Sequence, residues 1–258
     1  MTISDYIFTQ KANDGGTSVV YQARDKDTGE EVAIKIMNFQ KIKKCIWENE
    51  VDMLKRFQYT RGIVHMYEYG TFLNHEKLEH GYIVMELCQG DIMDLPLQLE
   101  EIPQFIQFLV TTLTSLHKKG HCYNDLKQEN ILRKGNGFRL CDFSSCQPIG
   151  TLTGYLFGTP HMMAPELIRN YYDRSPYYYD EKVDAWNLGC VLFEILTNKT
   201  PFNNKSSNIK TDKMYRNIIK IQPNYEFIED KKLRMWVQKC LRKDPTARYK
   251  ILDIYEYL

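Results

Sequence analysis

The sequence predicts an α+β fold, in which a small β-sheet lobe with one main helix precedes a larger, mostly helical lobe. Up to about residue 87 the apolar residues occur in short β-branched runs separated by turns. From about Pro96 onward they recur at helical spacing instead. No internal repeat or low-complexity linker interrupts the 258 residues. We therefore expect one domain over residues 1–258, with lobes of about 1–88 and 89–258.

The first lobe is predicted to contain four strands and one helix. Asp27-Thr28-Gly29 is typical of a tight turn, so it joins the first two strands as a hairpin. Apolar residues follow one helical face over residues 46–57, between the second and third strands. The strands are predicted at residues 19–23, 32–37, 64–69 and 82–87.

The second lobe begins with a predicted helix that Pro103 opens and Gly120 ends. Asn136-Gly137 supplies the turn of a short hairpin between residues 131–132 and 138–141. An irregular stretch over residues 142–166 follows it. Further helices are predicted at residues 185–196 and 233–241, and a last one closes the chain.

The composition argues against several classes of partner. The 34 Lys and Arg nearly balance the 33 Asp and Glu, so bulk charge favours neither nucleic acid nor a membrane surface. The longest apolar stretch, residues 188–196, falls well short of the ~20 residues of a bilayer span. The 7 cysteines are scattered without a CxxC pair, which favours a reducing compartment. We expect a cytoplasmic location, with the nucleus as the alternative.

Five charged or amide side chains stand in distinctive local contexts. Lys35 ends the run VAIK on a predicted strand, and Glu50 lies in the middle of the following helix. Asp125 and Asn130 lie in the run YNDLKQEN, and Asp142 opens DFS directly after a predicted strand. Taken singly, each has an ordinary structural explanation, such as a surface lysine or a turn-capping residue. Their occurrence together in this order requires a common explanation.

Later motifs complete the pattern. Gly158-Thr159-Pro160 leads to Ala164-Pro165-Glu166, the run DAWNLG starts at Asp184, and the run LRKDPTAR ends at Arg248. In this order and spacing, the sequence resembles the eukaryotic-type protein kinase family over essentially its whole length. The resemblance implies the bilobal protein kinase fold, and it implies that Arg248 pairs with Glu166.

The resemblance assigns ATP and magnesium roles to four of these residues. A phosphoryl group in transfer spreads negative charge over its oxygens, so fixed cations are needed around it. Lys35 would hold the α- and β-phosphates, and Glu50 would fix the Lys35 side chain. Asp142 and Asn130 would supply hard oxygen ligands to Mg²⁺.

The resemblance also assigns the residues that act on the acceptor. Asp125 would accept the proton of the substrate hydroxyl and orient its oxygen. Lys127 would lie near the transferring phosphate, with Thr159 bridging Asp125 and Lys127. A lysine at that position, together with Gly158-Thr159-Pro160, is similar to serine/threonine kinases. The implied partner is therefore a protein substrate that carries a hydroxyl.

Adenine and the phosphates would contact residues of the first lobe and the short hairpin. The adenine-facing residues are also ordinary core residues, and hinge contacts use the backbone, so side-chain identity discriminates little there. The implied contacts are Val20, Ala33 and Leu132 around adenine, Met85 as gatekeeper, and the backbone of Glu86 and Cys88 at the hinge.

The glycine-rich loop departs from the family pattern. The segment Asn13-Asp14-Gly15-Gly16-Thr17-Ser18 aligns with GxGxxG but keeps only the middle glycine, Gly15. A left-handed conformation costs roughly 1–2 kcal/mol at a residue with a Cβ. Gly15 and Gly16 still allow close backbone approach, and Ser18 could point its hydroxyl at phosphate. We expect weaker nucleotide binding, with Asn13, Gly15, Gly16 and Ser18 in the phosphate-binding loop.

Two more departures affect the catalytic motifs. Ser144 replaces the glycine of DFG, which should restrict flipping of the backbone but leave Asp142 able to bind metal. YND replaces HRD, so Asn124 stands where an arginine would pair with a phosphorylated residue. We therefore hypothesise that activity does not require phosphorylation of Thr151, Thr153 or Tyr155. A five-tyrosine segment over residues 170–179 is interpreted as packing on the helix beneath it, with a recognition surface as the alternative.

Three functions are compatible with this pattern. The first is an active serine/threonine kinase that converts MgATP and a protein hydroxyl into a phosphoprotein and ADP. The second is a pseudokinase that acts as a binding scaffold or allosteric partner, which the altered glycine loop and Ser144 favour. The third is a kinase acting on a small molecule or lipid, against which Thr159-Pro160 and the Ala164-Pro165-Glu166 segment argue. The sequence does not indicate the oligomeric state or the substrate, and Met162 replaces the usual tyrosine near the acceptor.

Overall fold

The computed structural model describes residues 2–16, 18–153, 158–202 and 210–255. The chain forms two compact units. The first comprises Met1–Gly90 and Leu132–Ser144, and the second comprises Asp91–Ile131 and Ser145–Leu258. The first unit thus takes in a later segment that lies beyond the expected lobe of residues 1–88.

The secondary structure alternates between these units in chain order. The strands are β1 (Tyr6–Asp14), β2 (Ser18–Asp25), β3 (Glu31–Asn38), β4 (Met66–Leu73), β5 (Glu79–Glu86), β6 (Gly90–Asp91), β7 (His121–Cys122), β8 (Ile131–Lys134), β9 (Gly137–Leu140), β10 (Gln147–Pro148), β11 (Leu152–Thr153) and β12 (Tyr177–Tyr178). The helices are α1 (Lys44–Phe57), α2 (Ile102–Lys118), α3 (Pro165–Tyr172), α4 (Lys182–Thr197), α5 (Thr211–Lys220), α6 (Lys231–Cys240) and α7 (Ile251–Tyr255). The predicted α+β class is confirmed.

A five-stranded antiparallel sheet, in the order β1-β2-β3-β5-β4, belongs to the first unit together with α1. Successive side chains of a strand point to opposite faces. Val32 and Ile34 of β3 belong to a buried cluster on one face with Tyr82 and Val84 of β5. The alternation therefore sends Lys35 to the opposite face. Register places Lys35 beside Val20 of β2.

The edge strand β1 and the start of β4 were not predicted correctly. The pairing of β1 with β2 shifts between Phe8 and Gln10 and again between Lys11 and Asn13, which breaks the alternation that marks a strand. The third predicted strand began at residue 64, but β4 begins at Met66. The Val64 N–H instead donates to the carbonyl of Leu140.

Helices form most of the second unit. The predicted first helix is α2, whose Pro103 occupies the first turn and whose end precedes Gly120 at φ +76°. Helix α4 is buried from Val183 to Glu194 and packs against α6. Its Trp186 stacks on Phe202 with ring centroids 5.3 Å apart. No helix within the described ranges is long and apolar enough to cross a membrane.

Helices α3 and α5 were not predicted, because both are short and bury few apolar residues. Helix α3 has only 8 residues, and α5 buries only Tyr215 and Ile218. The tyrosine-rich segment begins within α3, where the rings of Tyr171 and Tyr172 lie 6.4 and 6.3 Å from that of Tyr215 in α5. Tyr177 and Tyr179 are buried with their rings edge to face at 5.2 Å. The other three are exposed, namely Tyr171, Tyr172 and Tyr178.

Candidate active site

An ion cluster in the first unit joins Lys35, Glu50 and Asp142. Lys35 Nζ lies 2.7 and 2.8 Å from the two carboxylate oxygens of Glu50, and 3.2 Å from Oδ1 of Asp142. Glu50 is fully buried in α1, whereas 31% of the Asp142 side chain is exposed. The two carboxylates thus hold the Lys35 ammonium in place, and the Asp142 carboxylate stays accessible to a ligand.

Burial and charge act in opposite directions on this cluster. Burial alone would lower the pKa of Lys35, but the nearby carboxylates of Asp142 and Glu50 raise this pKa above its ordinary value. Burial raises the pKa of Glu50, and the Lys35 ammonium opposes that shift. A positively charged Lys35 is therefore the stable state at neutral pH.

The residues predicted to act on the substrate hydroxyl form a second hydrogen-bonded group, in the second unit. Lys127 Nζ lies 2.9 Å from Asp125 Oδ2 and 2.8 Å from Thr159 Oγ1, and the Thr159 hydroxyl donates to Asp125 Oδ1 at 2.6 Å. Asn130 Nδ2 donates to both the carbonyl and Oδ2 of Asp125, at 2.9 and 3.0 Å. The Asp125 carboxylate is therefore held in one orientation by three donors.

Sequence reasoning missed how the backbone around Asp125 is held. Asp184 of α4 is fully buried, and its two oxygens accept the N–H groups of Tyr123 and Asn124 at 2.8 and 2.7 Å. His117 Nε2 also contacts this carboxylate, at 2.7 Å. Asn124 has φ +69°, a conformation that costs free energy at a non-glycine residue. Asp184 could be noticed in the sequence because it opens the run DAWNLG. Its hydrogen-bond partners could not be foreseen, because they lie 60 and 61 residues away.

Gly158 brings Thr159 to Asp125. It has φ +99°, and a Cβ at this position would lie 2.6 Å from the carbonyl oxygen of Asn124. Only glycine allows this close approach of two backbones. The Gly158-Thr159-Pro160 run therefore positions the Thr159 hydroxyl.

Comparison with known proteins identifies the family. The family model described as the protein kinase domain matches residues 6–257. The chain belongs to the protein kinase domain family. A probable myosin light chain kinase of Dictyostelium discoideum is 30% identical over 274 residues, which cover 100% of this chain and 83% of the relative.

Other relatives carry the kinase domain within longer proteins. Serine/threonine-protein kinase cds1 of Schizosaccharomyces pombe is 33% identical over 79% of this chain and 47% of its own length. Serine/threonine-protein kinase ULK3 of Xenopus laevis is 28% identical over 99% of this chain and 55% of its own length. The chain thus spans about half the length of these two relatives. Family and relatives confirm the prediction of a protein serine/threonine kinase, whose family implies ATP and a protein as substrates.

The glycine-rich loop of the kinase domain does not contain the left-handed residues that were expected at Asn13 and Ser18. Asn13 pairs with Val20 in the β1–β2 ladder, and Ser18 is the first residue of β2. Both residues therefore have strand conformations, and neither has a positive φ. Gly15 N–H donates to the Ser18 carbonyl at 2.9 Å across the turn. A Cβ on Gly16 would meet no atom within 4 Å. The expected cost of left-handed residues therefore does not arise at Asn13 or Ser18; Thr17 lies outside the described residues.

The predicted adenine-binding residues lie on neighbouring elements of the first unit. Ala33 of β3 is paired with Met85 of β5, which is buried. The Glu86 carboxylate is held by the His65 N–H and the Arg139 side chain, at 2.9 and 3.0 Å. The Glu86 N–H donates to the His65 carbonyl, so an adenine contact at Glu86 would use its carbonyl oxygen. Three further predicted contacts are partly buried, namely Val20, Cys88 and Leu132.

The thiols near this region are expected to be unreactive. Burial raises the pKa of Cys88 to about 11 and also raises that of Cys141, whereas Cys45 is exposed at the start of α1. Since the thiolate is the nucleophile, iodoacetamide at pH 7.5 should modify Cys45 at least ~10-fold faster than Cys88 or Cys141. Mass spectrometry of tryptic peptides measures the three rates, and Cys45→Ser should remove the fast site. Equal rates at Cys45 and Cys141 would contradict this prediction.

The predicted pair between Arg248 and Glu166 is present in the second unit. The two carboxylate oxygens of Glu166 accept from Nη1 and Nη2 of Arg248 at 2.7 and 2.8 Å. The guanidinium also donates to the carbonyls of Arg242 and Lys182, and its side chain is fully buried. This network ties the start of α3 to the start of α4 and to the segment before α7.

Proposed function

We propose that this kinase domain transfers the γ-phosphoryl group of magnesium-bound ATP to serine or threonine hydroxyls of proteins. The arrangement of Asp125, Lys127 and Thr159 is the observation that carries the proposal. A carboxylate offers about four acceptor sites. The three donors to Asp125 fix its direction and leave acceptor capacity for an incoming hydroxyl. A scaffold without catalytic activity would not require this arrangement.

The residues assigned to ATP and magnesium have side chains of the chemistry that such a complex requires. Mg²⁺ is usually bound through one or two carboxylates together with substrate phosphates and water. Asp142 offers a partly exposed carboxylate, and the amide oxygen of Asn130 is a second hard donor. In the described part of the chain, no three His, Cys, Asp or Glu side chains gather as a metal site. A cation held largely by phosphates agrees with that donor set, and it would neutralise the charge that develops on the phosphate oxygens.

Each step of the proposed reaction has a residue to support it. Lys35, fixed by Glu50, holds the α- and β-phosphates of ATP. The substrate oxygen attacks the γ-phosphorus, the bond from that phosphorus to the β-bridging oxygen breaks, and ADP leaves. Asp125 accepts the hydroxyl proton. Lys127 adds positive charge beside the transferred group, and Thr159 keeps Lys127 and Asp125 aligned.

Radiolabelled ATP separates this proposal from the pseudokinase. Purified protein with Mg²⁺ and a generic protein acceptor should transfer label, and acid hydrolysis of the product should yield phosphoserine or phosphothreonine without phosphotyrosine. A protein that binds nucleotide but transfers no label under any acceptor condition would favour the scaffold. Label in lipid or small-molecule fractions would favour the third hypothesis.

The substrate preference near the acceptor is also a proposal. Glu129 is exposed one residue before Asn130, and by family analogy it favours a basic residue ahead of the acceptor. Met162 is buried at 2% exposure, and its carbonyl accepts from Asn187 at 2.6 Å, so its position is well defined. A positional peptide library measures the preference, and Glu129→Gln should weaken selection for Lys or Arg.

The seven cysteines, all free, support a reducing compartment for this reaction.

Activity is expected without phosphorylation of the segment after Asp142. Asn124 carries no charge to pair with a phosphate of about −2. Its Nδ2 donates instead to the carbonyl of Ser145 at 3.0 Å. Combined Thr151→Ala, Thr153→Ala and Tyr155→Phe substitutions should therefore keep kcat within about threefold of the wild type; Tyr155 lies outside the described residues.

Initial rates of phosphatase-treated wild type and of this triple variant provide the measurement. The thermal midpoint of the variant serves as the control for folding. Loss of activity in a variant that remains folded would show that phosphorylation is required.

A further inference from the structure

Ser144 contacts the predicted metal ligand directly. Its hydroxyl donates to Asp142 Oδ1 at 2.6 Å, and its N–H approaches the same oxygen at 3.3 Å. Lys35 Nζ lies 3.2 Å from that oxygen as well. A glycine at position 144 would offer only the weaker N–H contact. Ser144 therefore adds a short hydrogen bond that the family glycine does not have.

Helix α1 holds the backbone that carries Ser144. Asn49 Nδ2 donates to the Ser144 carbonyl at 3.0 Å and lies 3.4 Å from the Phe143 carbonyl. Asn49 directly precedes Glu50, which holds Lys35. Phe143 is fully buried, with its ring 6.2 Å from that of Phe57 on the same helix. One helix therefore positions both the phosphate-binding lysine and the segment that follows Asp142.

Asp142 needs this support because its backbone is strained. Its φ of +55° lies in the left-handed region, which costs roughly 1–2 kcal/mol at a residue with a Cβ. Such a conformation persists where surrounding contacts determine it. Ser144 does not have a positive φ, so a side chain at this position adds no strain of that kind.

We propose that Ser144 is a positioning residue that fixes the Asp142 carboxylate for its divalent cation, and that Asn49 fixes the backbone of Ser144. The serine in place of glycine thus holds the cation ligand ready before nucleotide arrives. This inference rests on the proposed function, because it requires Asp142 to bind the cation. Loss of a hydrogen bond to a metal ligand typically weakens metal affinity 10- to 100-fold.

Three variants at Ser144 isolate the hydroxyl from the backbone. Mn²⁺ serves as the probe, and its free EPR signal is titrated against protein saturated with a non-hydrolysable ATP analogue. Ser144→Ala and Ser144→Gly should each raise the Mn²⁺ dissociation constant about tenfold. Ser144→Thr, which keeps the hydroxyl, should stay within about twofold of the wild type. Affinity for the analogue in EDTA should change less than about twofold in all three.

The Asn49→Ala variant tests the second half of the proposal and should weaken Mn²⁺ binding about threefold or more. Asn217→Ala is the matched control, because Asn217 Nδ2 donates to the Phe202 carbonyl at 3.3 Å, among residues with no proposed role. It should leave Mn²⁺ affinity unchanged. Wild-type affinity in Ser144→Gly, or equal losses in Ser144→Thr and Ser144→Ala, would overturn the role of the hydroxyl.

Asp142→Asn distinguishes failure of this inference from failure of the proposed function. If Asp142→Asn abolishes Mn²⁺ binding while the Ser144 and Asn49 variants match the wild type, the inference fails and the function stands. If the wild type binds no Mn²⁺ with the analogue, both fail.

Discussion

Replacing Asp125 by asparagine is expected to lower kcat by about 10³-fold while the affinity for ATP stays within about threefold. The substitution keeps the shape of the side chain but removes the carboxylate that is proposed to accept the hydroxyl proton. The amide nitrogen can no longer accept the hydrogen bond from Lys127 or Thr159, both of which donate to the carboxylate in the structure. On the proposed mechanism the chemical step therefore slows, whereas nucleotide binding, which that mechanism assigns to Lys35, is unaffected.

Steady-state rates with labelled ATP and titration with a fluorescent ATP analogue measure the two quantities separately. Asp173→Asn is the control, since Asp173 is an exposed residue at the end of α3 and should leave both within about twofold. Far-UV circular dichroism checks that each variant is folded. A kcat above about one tenth of the wild-type value in Asp125→Asn would refute the role of Asp125 as the base.

The fold class was predictable because strand and helix periods differ clearly in the two halves of the sequence. Boundaries were less predictable where tertiary contacts decide them. The last predicted strand of the first lobe covered residues 82–87, and β5 is Glu79–Glu86. The helix predicted over residues 185–196 begins earlier, as α4 at Lys182. Because α4 is buried from Val183 to Glu194, it shows no one-sided pattern from which its first turn could be located.

The candidate site divides in the same way. Lys35, Asp125 and Asp142 were found because their local runs are distinctive, and the roles assigned to them stay predictions. The contacts that position them were not found. Asn49 reaches Ser144 across 95 residues, and Asp184 reaches Tyr123 across 61. Hydrogen-bonding residues of this kind have no periodicity, so only the folded chain shows which donor meets which acceptor.

Replacing Arg248 by methionine is expected to lower the free energy of unfolding by about 3–5 kcal/mol, the usual result of breaking a buried ion pair. The guanidinium is fully buried and bidentate on Glu166, so methionine removes two charge-assisted hydrogen bonds at once. It also leaves the carbonyls of Arg242 and Lys182 without these donors. Glu166 would keep its negative charge without this partner. Because its carboxylate is only partly exposed to water, its incomplete solvation adds to the cost in free energy.

Urea denaturation followed by tryptophan fluorescence measures the effect, and an unchanged m-value shows that the variant unfolds to a similar state. Lys250→Met removes a comparable pair with Glu181 that is mostly exposed on the lysine side, and it should cost less than about 1 kcal/mol. A loss below about 1 kcal/mol in Arg248→Met would show that the network contributes little to stability. The larger loss would instead establish that the start of α3, which follows the Thr159 segment, is held by a single arginine far along the chain.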